Sequence, residues 1–332
     1  MSYNVAVVGA TGMVGRQFIS ILEERNFPIN NIYFFSSSRS AGSILKFKNT
    51  DITVEELNED NIKNKKIDFA LFSAGGDTSL AFAKIFVKYG AIVIDNSSAF
   101  RMDPNVPLVV PEVNGDDILN HKGIIANPNC STIQAMVALK PLYDNYGINR
   151  IIYSTYQAVS GAGMGGFKDL EEGVTGKAPQ KFTSPIAFNV IPQIDSFLDN
   201  GYTKEEMKMI NETKKIFHDD ALKITATTVR VPVYHGHSES INIELKTSFN
   251  IEDIFNLYNS SNGIVLKDDI SNNIYPMPID IAGKDEVYVG RIRRDFSLDN
   301  GLNIWVVADN IRKGAALNAI QIAECFIEKK LI

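Results

Sequence analysis

Few side chains among the 332 residues are suited to covalent chemistry, and Cys130 is one of only two cysteines. It stands immediately ahead of Ser131 to Tyr143, whose apolar spacing predicts a helix capped by Ser131 or Thr132 and kinked or ended by Pro141. At such a start the unsatisfied N–H groups and the helix dipole favour a thiolate over a thiol. Its neighbours Asn127, Pro128 and Asn129 are polar and turn-forming. The local sequence leaves two readings open, a nucleophile and a small buried hydrophobe. A nucleophile needs a proton donor and acceptor nearby, and four histidines are available. His121 and His218 lie in polar or charged stretches expected at the surface. His235 and His237 fall between two strand candidates, where one of them would project from a sheet edge, and the sequence does not choose between them. Arg230 interrupts a largely apolar strand, so it requires an anionic partner, such as a substrate carboxylate, or a solvent-facing side. Cys325, inside an amphipathic helix, reads as an inert buried thiol.

The elements that must position these groups follow from periodicity. Tyr3 to Val8 is a β-branched apolar run of the kind found in central parallel strands. Gly9, Gly12 and Gly15 follow at spacings of three, and Arg16 to Arg25 continues as a helix. Strand, Gly-x-x-Gly-x-x-Gly and helix in that order form a dinucleotide fingerprint: a tight turn, close backbone approach to a pyrophosphate, and close helix packing. Further strands are expected at Asn31 to Phe35, Ile67 to Phe72 and Ala91 to Ile94, with a helix at Ser79 to Tyr89. This alternation predicts an α/β fold with a Rossmann-type doubly wound parallel sheet. The second strand ends in Ser36-Ser37-Ser38-Arg39-Ser40 instead of the Asp or Glu that would bind the ribose of NAD. An arginine among hydroxyls suits a 2′-phosphate, so the expected cofactor is NADP. The small loop Ser73 to Gly76 would pass close to it.

Beyond about residue 150 the pattern changes to longer strands at Ile151 to Val159, Ala221 to Val233, Ser240 to Phe249 and Leu302 to Ala308. They predict a second, α+β domain. The division expected is residues 1–130, completed by the amphipathic helix 314–332, and residues 131–313. The formal charge of -6 comes without any long basic run, so no nucleic-acid partner is expected. No apolar stretch is long enough to span a bilayer and the chain opens without a signal-peptide pattern, which makes a cytoplasmic location the expectation. The two cysteines lack zinc-site spacing, and no metal is expected.

Taken together, Gly-Ala-Thr-Gly-Met-Val-Gly at Gly9 to Gly15, Ser38 to Gly42, Asn96 to Arg101, Pro128 to Ser131 and the segment Arg230 to Glu239 resemble aspartate-semialdehyde dehydrogenases. The resemblance runs through essentially the whole chain and is greatest to the shorter bacterial form. It implies that Cys130 is the nucleophile, His237 the acid-base residue, and Gln157 the residue that orients thiol and substrate. Arg230 would grip the substrate carboxylate and Glu212 its amino group, while Arg101, Asn129 and Lys215 would contact phosphate. Lys214, adjacent to Lys215, is the position most easily confused with it. Thr11, Met13, Val14, Gly161 and Asn310 would lie near NADP, with Ser37, Arg39 and Ser40 at its 2′-phosphate.

The implied reaction interconverts L-aspartyl 4-phosphate and NADPH with L-aspartate 4-semialdehyde, inorganic phosphate and NADP through a cysteine thioester, in a homodimer joined through the second domain. Its product would feed lysine, threonine, methionine and diaminopimelate synthesis. The rival readings are an N-acetyl-glutamyl-phosphate reductase, which would have no use for Glu212 as an ammonium partner, and a nonenzymatic NADP-binding regulator, which would leave Cys130, Gln157, Arg230 and His237 unexplained as a set.

Overall fold

The computed structural model describes residues Met1 to Ile332, which form two compact units, Met1–Asn129 with Ala315–Ile332, and Cys130–Gly314. In the first unit the strands are β1 (Tyr3–Val8), β2 (Ile29–Ser36), the hairpin β3 (Ile44–Phe47) and β4 (Thr50–Thr53), β5 (Glu55–Glu56), β6 (Phe69–Phe72), β7 (Ile92–Asp95) and β8 (Ile124–Ala126). Six of them make one parallel sheet in the order β5-β2-β1-β6-β7-β8. The chain leaves β1 toward β2 on one side and returns to β6 on the other, which is the topological switch of a doubly wound sheet. Every residue of β1 is buried, Asn4 included, which explains the apolar run Val5 to Val8.

The last helix, Leu317–Glu328, belongs to this unit and fills its core, with Phe326 edge-on to Phe69 at 6.1 Å. Its buried Asn318 donates to Val109 O at 3.0 Å and Asn127 Oδ1 at 2.7 Å. It is preceded by a π-helical turn, Arg312–Ala316, where the sequence pattern predicts α-helix from residue 314.

The second unit holds β9 (Ile148–Gln157), β10 (Lys223–Arg230), β11 (His237–Leu245), β12 (Ile264–Leu266), β13 (Val287–Asp295) and β14 (Gly301–Ala308), in the order β10-β9-β11-β14-β13-β12. The sheet is mixed: β10 runs parallel to β9 and β12 to β13, while β11 and β14 pair antiparallel with their neighbours. Helix Cys130–Tyr146 packs against β9, β11, β13 and β14. The sheet positions that turn toward it, including Tyr153, Ile241, Ile243, Ile304 and Val306, are fully buried, whereas Ile152, Ser154, Tyr156, Ser240 and Trp305 on the alternate face keep access to solvent.

Three local expectations need correction. Pro141 does not end the Cys130 helix, which continues through it to Tyr146. Residues Ser131 to Leu139 and Leu142 are all buried, and this packing outweighs the ladder bond that proline cannot donate. Ser131 and Thr132 lie inside the first turn instead of capping it, because the helix begins at Cys130 itself. Strand β11 starts at His237 rather than Ser240, since the antiparallel partner β14 extends far enough to pair Ala308 with His237. Gly236, at φ +86°, provides the turn immediately before it.

Candidate active site

Three strand ends of the second unit bring distant residues together. Arg230, last in β10, pairs directly with Gln157, last in β9. On the other side of β9, Ser238 pairs with Tyr156, so His237 begins β11 at the same edge. All three side chains are buried. His237 Nδ1 accepts the Ala158 N–H at 3.0 Å, whereas its Nε2 has no partner. With Nδ1 occupied as an acceptor, the neutral ring carries its proton on Nε2. Burial, and then the adjacent Arg230 charge, hold the His237 pKa well below the ordinary value and keep the ring neutral.

Arg230 Nη1 donates to Ala158 O at 2.7 Å, and its buried Nε is unpartnered. Burial depresses its pKa against the opposing pull of Glu205 and Cys130. Cys130 is therefore within the electrostatic reach of the guanidinium, and it is half-buried at the first position of its helix. Gly314 lies against it: a Cβ there would come within 2.9 Å of Cys130 Cβ. Gly161 has a comparable relation to the other two groups. A Cβ on it would lie 2.8 Å from Arg230 Nη1 and 3.3 Å from His237 Nε2, so glycine keeps clear the space that both nitrogens face.

Gln157 is clamped at both ends. Its Oε1 accepts from Thr155 Oγ1 at 3.0 Å and its Nε2 donates to Glu205 Oε1 at 3.1 Å. Glu205 also takes Lys208 Nζ at 3.0 Å, and Lys208 reaches Asp195 at 3.0 Å. Glu205 is not among the residues that the sequence pattern singles out. The signal was present: Thr203 and Glu206 form a capping box that starts helix Lys204–Phe217, and Glu205 lies two turns before Glu212 on the same face. Glu212 is buried on that helix and Lys215 follows one turn later, partly exposed. Lys214 is separated from it by donating to Asp220 O at 3.0 Å beyond the helix end.

Asn310 holds the local backbone: its Oδ1 accepts from Ser160 Oγ at 3.1 Å and Gly236 N–H at 3.0 Å, which ties the Gly161 turn to the residue before His237. His235 is not equivalent to His237, for its ring packs at 5.1 Å from Phe167. The half-buried His121 departs from its expected surface placement, since it packs on Phe326 and its Nδ1 accepts Gly123 N–H at 3.0 Å. His218 is exposed as a left-handed helix cap. Cys325 is only partly buried, with its pKa pushed up to about 11 chiefly by burial.

In the first unit the glycine turn is built around close backbone approach. A Cβ on Gly9 would meet Ser73 O at 2.4 Å, and one on Gly15 would meet Gly9 O at 2.1 Å. Gly9 also needs φ +83°. Helix Met13–Glu24 starts at Gly12 with no side chain capping it, so its first N–H groups are available to an anion at the switch point beside β6. Thr11 Oγ1 bonds Ser36 Oγ at 2.9 Å, while Ser37 and Arg39 are exposed on the turn that follows β2 and ends at the partly buried Ser40. Met13 and Val14 form the first residues of that helix. Arg101 is buried, with Nε on Asn127 O and Nη2 on Asn96 O, both at 2.9 Å, and Asn129 is buried two residues beyond Asn127.

Residues 4–121 match the family described as semialdehyde dehydrogenase, NAD binding domain, and residues 139–313 match semialdehyde dehydrogenase, dimerisation domain. The fold and these matches define a semialdehyde dehydrogenase that takes a nicotinamide cofactor. The chain is 55% identical to the aspartate-semialdehyde dehydrogenase of Aquifex aeolicus, with both chains fully covered, and 52% identical to that of Bacillus subtilis over 99% of each. It aligns over 99% of each chain with the crystal structure of aspartate semialdehyde dehydrogenase II from Vibrio cholerae at 45% identity and a TM-score of 0.94, a protein also solved in complex with ASA. A Candida albicans aspartate semialdehyde dehydrogenase with NADP aligns at 28% identity over the full length of both chains, with a TM-score of 0.78. The chain belongs to the aspartate-semialdehyde dehydrogenase family.

Proposed function

We propose that this chain reduces L-aspartyl 4-phosphate to L-aspartate 4-semialdehyde, releasing inorganic phosphate, and runs the reverse reaction, with NADP as its cofactor and Cys130 as its nucleophile. The observation that carries this reading is the convergence of a buried cation and a buried imidazole N–H on Gly161, so close that a Cβ would not fit there. Family membership supplies the reaction class.

Cys130 Sγ attacks the acyl carbon and the C–O bond to phosphate breaks, leaving a thioester on the protein. Arg230 binds the substrate carboxylate, Glu212 its ammonium group, and Arg101, Asn129 and Lys215 the phosphate, so each charged group of the substrate has a complementary partner. Gln157, fixed by Thr155 and Glu205, orients thiol and substrate. The nicotinamide cofactor, when bound, supplies the hydride that the thioester carbon accepts. His237 Nε2–H then donates to the oxygen that becomes negative, and collapse of this tetrahedral adduct returns the electron pair to sulfur as the aldehyde leaves. In reverse, His237 assists the same oxygen as Cys130 adds to the aldehyde. The Ala158 N–H at Nδ1 supports Nε2 as the atom through which His237 serves that oxygen.

The first unit fits the cofactor: side chains at Gly9 and Gly15 would collide with backbone, and the uncapped helix start faces that turn. The exposed Arg39, with Ser37 and Ser40 beside it, would bind the 2′-phosphate and select NADP over NAD. The accessible sheet face with Tyr156 and Trp305, whose rings meet at 5.5 Å, supports a homodimer through the second unit, in keeping with the family description. A cytoplasmic setting suits these metabolites and a free catalytic thiol.

The test is a coupled assay of semialdehyde, phosphate and NADP, run in parallel with NAD, on wild type and Cys130→Ala. The wild-type protein should require phosphate and prefer NADP, and Cys130→Ala should lose turnover while retaining NADPH affinity. Near-full turnover in Cys130→Ala would overturn the assignment.

A further inference from the structure

Arg101, the buried arginine that contacts phosphate in the proposed reaction, is gripped by two asparagines that the reaction does not use. Strands β7 and β8 run parallel side by side, with Asp95 opposite Ala126 at their carboxyl ends. The next residue on each is an asparagine, Asn96 and Asn127, so the two stand together where a doubly wound sheet receives its ligands. The Asn127 N–H donates to Asp95 O at 2.8 Å and continues the pairing by one step. Past that step both backbone carbonyls serve a single side chain. Arg101 Nε donates to Asn127 O and its Nη2 to Asn96 O, each at 2.9 Å.

The Asn127 side chain is fully buried, and both protons of its amide are used. Nδ2 donates to Asn96 Oδ1 at 2.7 Å and to Ala315 O at 3.0 Å, while Oδ1 accepts from Asn318 Nδ2 at 2.7 Å. Asn318 Nδ2 also donates to Val109 O at 3.0 Å. Ala315 O and Val109 O are backbone carbonyls and can only accept, so neither amide turns over without setting oxygen against oxygen. The chain of amides therefore has one polarity and ends on Asn96. A buried side chain that only filled space would be apolar, because each polar atom at that depth must be satisfied; three hydrogen bonds on one amide specify an orientation instead.

We propose that Asn127 is a positioning residue for phosphate capture: by holding Asn96 through its Oδ1, it sets the spacing of the two carbonyls that grip Arg101 and so the direction in which the guanidinium meets the phosphate. The role rests on the reading of Arg101 as a phosphate contact, and it requires neither asparagine to touch substrate. A guanidinium is planar, so two acceptors at a fixed separation determine the plane of its head as well as its place. Without the bond between the asparagines, the segments after β7 and β8 can part, and Arg101 loses one carbonyl or the other. The loss falls on phosphate, since Cys130, Arg230 and His237 are carried by the helix Cys130–Tyr146 and the strands β10 and β11.

The experiment follows the phosphate-dependent reduction of NADP by semialdehyde on the full-length enzyme, with each reactant varied in turn. Asn96→Ala removes the acceptor at a half-buried position and should raise KM for phosphate about tenfold, with KM for semialdehyde and for NADP within about twofold. Asn127→Leu should raise it at least as far. Asn318→Ala breaks the bond to Asn127 Oδ1 and keeps the one to Asn96, so its thermal midpoint should fall by about 2–4 °C while KM for phosphate stays within about twofold. A phosphate KM within about twofold of wild type in Asn96→Ala, a rise shared equally by all three reactants, or the same rise in Asn318→Ala would overturn the proposal. Asn96→Ala decides the matter if Asn127→Leu does not fold. Arg101→Leu measured alongside separates the two ideas. If it raises KM for phosphate and Asn96→Ala does not, the positioning role fails and the phosphate reading stands; if it leaves KM for phosphate unchanged, the reading of Arg101 fails and takes the positioning role with it.

Discussion

Adding one methyl group at position 161 probes the chemical centre with little change elsewhere. Gly161 lies in the short 3-10 turn Val159–Ala162 and does not require a positive φ, so its backbone accepts alanine. The new Cβ would stand 2.8 Å from Arg230 Nη1, and ordinary contact begins at 3.4 Å, so the guanidinium must retreat by about 0.6 Å (3.4 − 2.8). Nη1 is held by Ala158 O at 2.7 Å, and that charge-assisted bond is stretched as the group withdraws. The imidazole, 3.3 Å from the same Cβ at Cε1 and Nε2, is fully buried and anchored through Nδ1, which leaves it little freedom to yield. A shift of this size in the group that aligns the substrate should cost about 2–2.7 kcal/mol of transition-state binding, roughly a 30- to 100-fold fall in kcat/KM. The measurement is the phosphate-dependent reduction of NADP by semialdehyde, together with a thermal midpoint that should drop by only a few degrees. A folded Gly161→Ala enzyme with kcat/KM within about threefold of wild type would refute the reasoning.

Gly15→Ala should act on the other unit, because its Cβ would come within 2.1 Å of a backbone oxygen that cannot swing aside; NADPH affinity should fall and stability should drop by about 1–3 kcal/mol, as read by titration and denaturant unfolding. Glu205→Ala removes the acceptor for Gln157 Nε2 and should lower kcat about tenfold, while Glu205→Gln, which keeps an acceptor oxygen, should recover most of it. The pH dependence of stability has a definite sign at Glu239. Above its unfolded-state value of 4.5 the unfolded chain loses a proton that the folded protein retains, so the wild-type contribution declines as pH rises through the window up to the raised folded-state value. Glu239→Gln should therefore be the more stable protein at about pH 8, with the advantage closing toward pH 4.5 in unfolding experiments. At His237 the sign is reversed: its folded-state pKa is lowered, so stability should fall as pH drops below 6.5, accompanied by proton uptake on unfolding.

What the sequence determined by itself is local. The extent of β1, the glycine turn and the helix after it were legible because chain sterics over a few residues dictate them: Gly9 needs φ +83°, and Gly15 has no room for a Cβ above Gly9. A cysteine at the start of a helix was legible for the same reason, although the helix takes in Cys130 itself. The rest was decided by contacts between residues far apart in the chain. Local rules stop a helix at Pro141, and burial carries it past; local patterning starts β11 at Ser240, and pairing with β14 draws it back to His237. No spacing rule separates His235 from His237. The Ala158 N–H does so, 79 residues away, by fixing the tautomer of one ring, while Phe167 packs against the other. Glu205 and Glu239 read as ordinary acids until the fold sets one against Gln157 and closes the other off with Gln134. Burial and long-range partners determine whether an acid is a surface charge, a clamp or a buried carboxyl with a raised pKa, and they exist only once the strands have assembled.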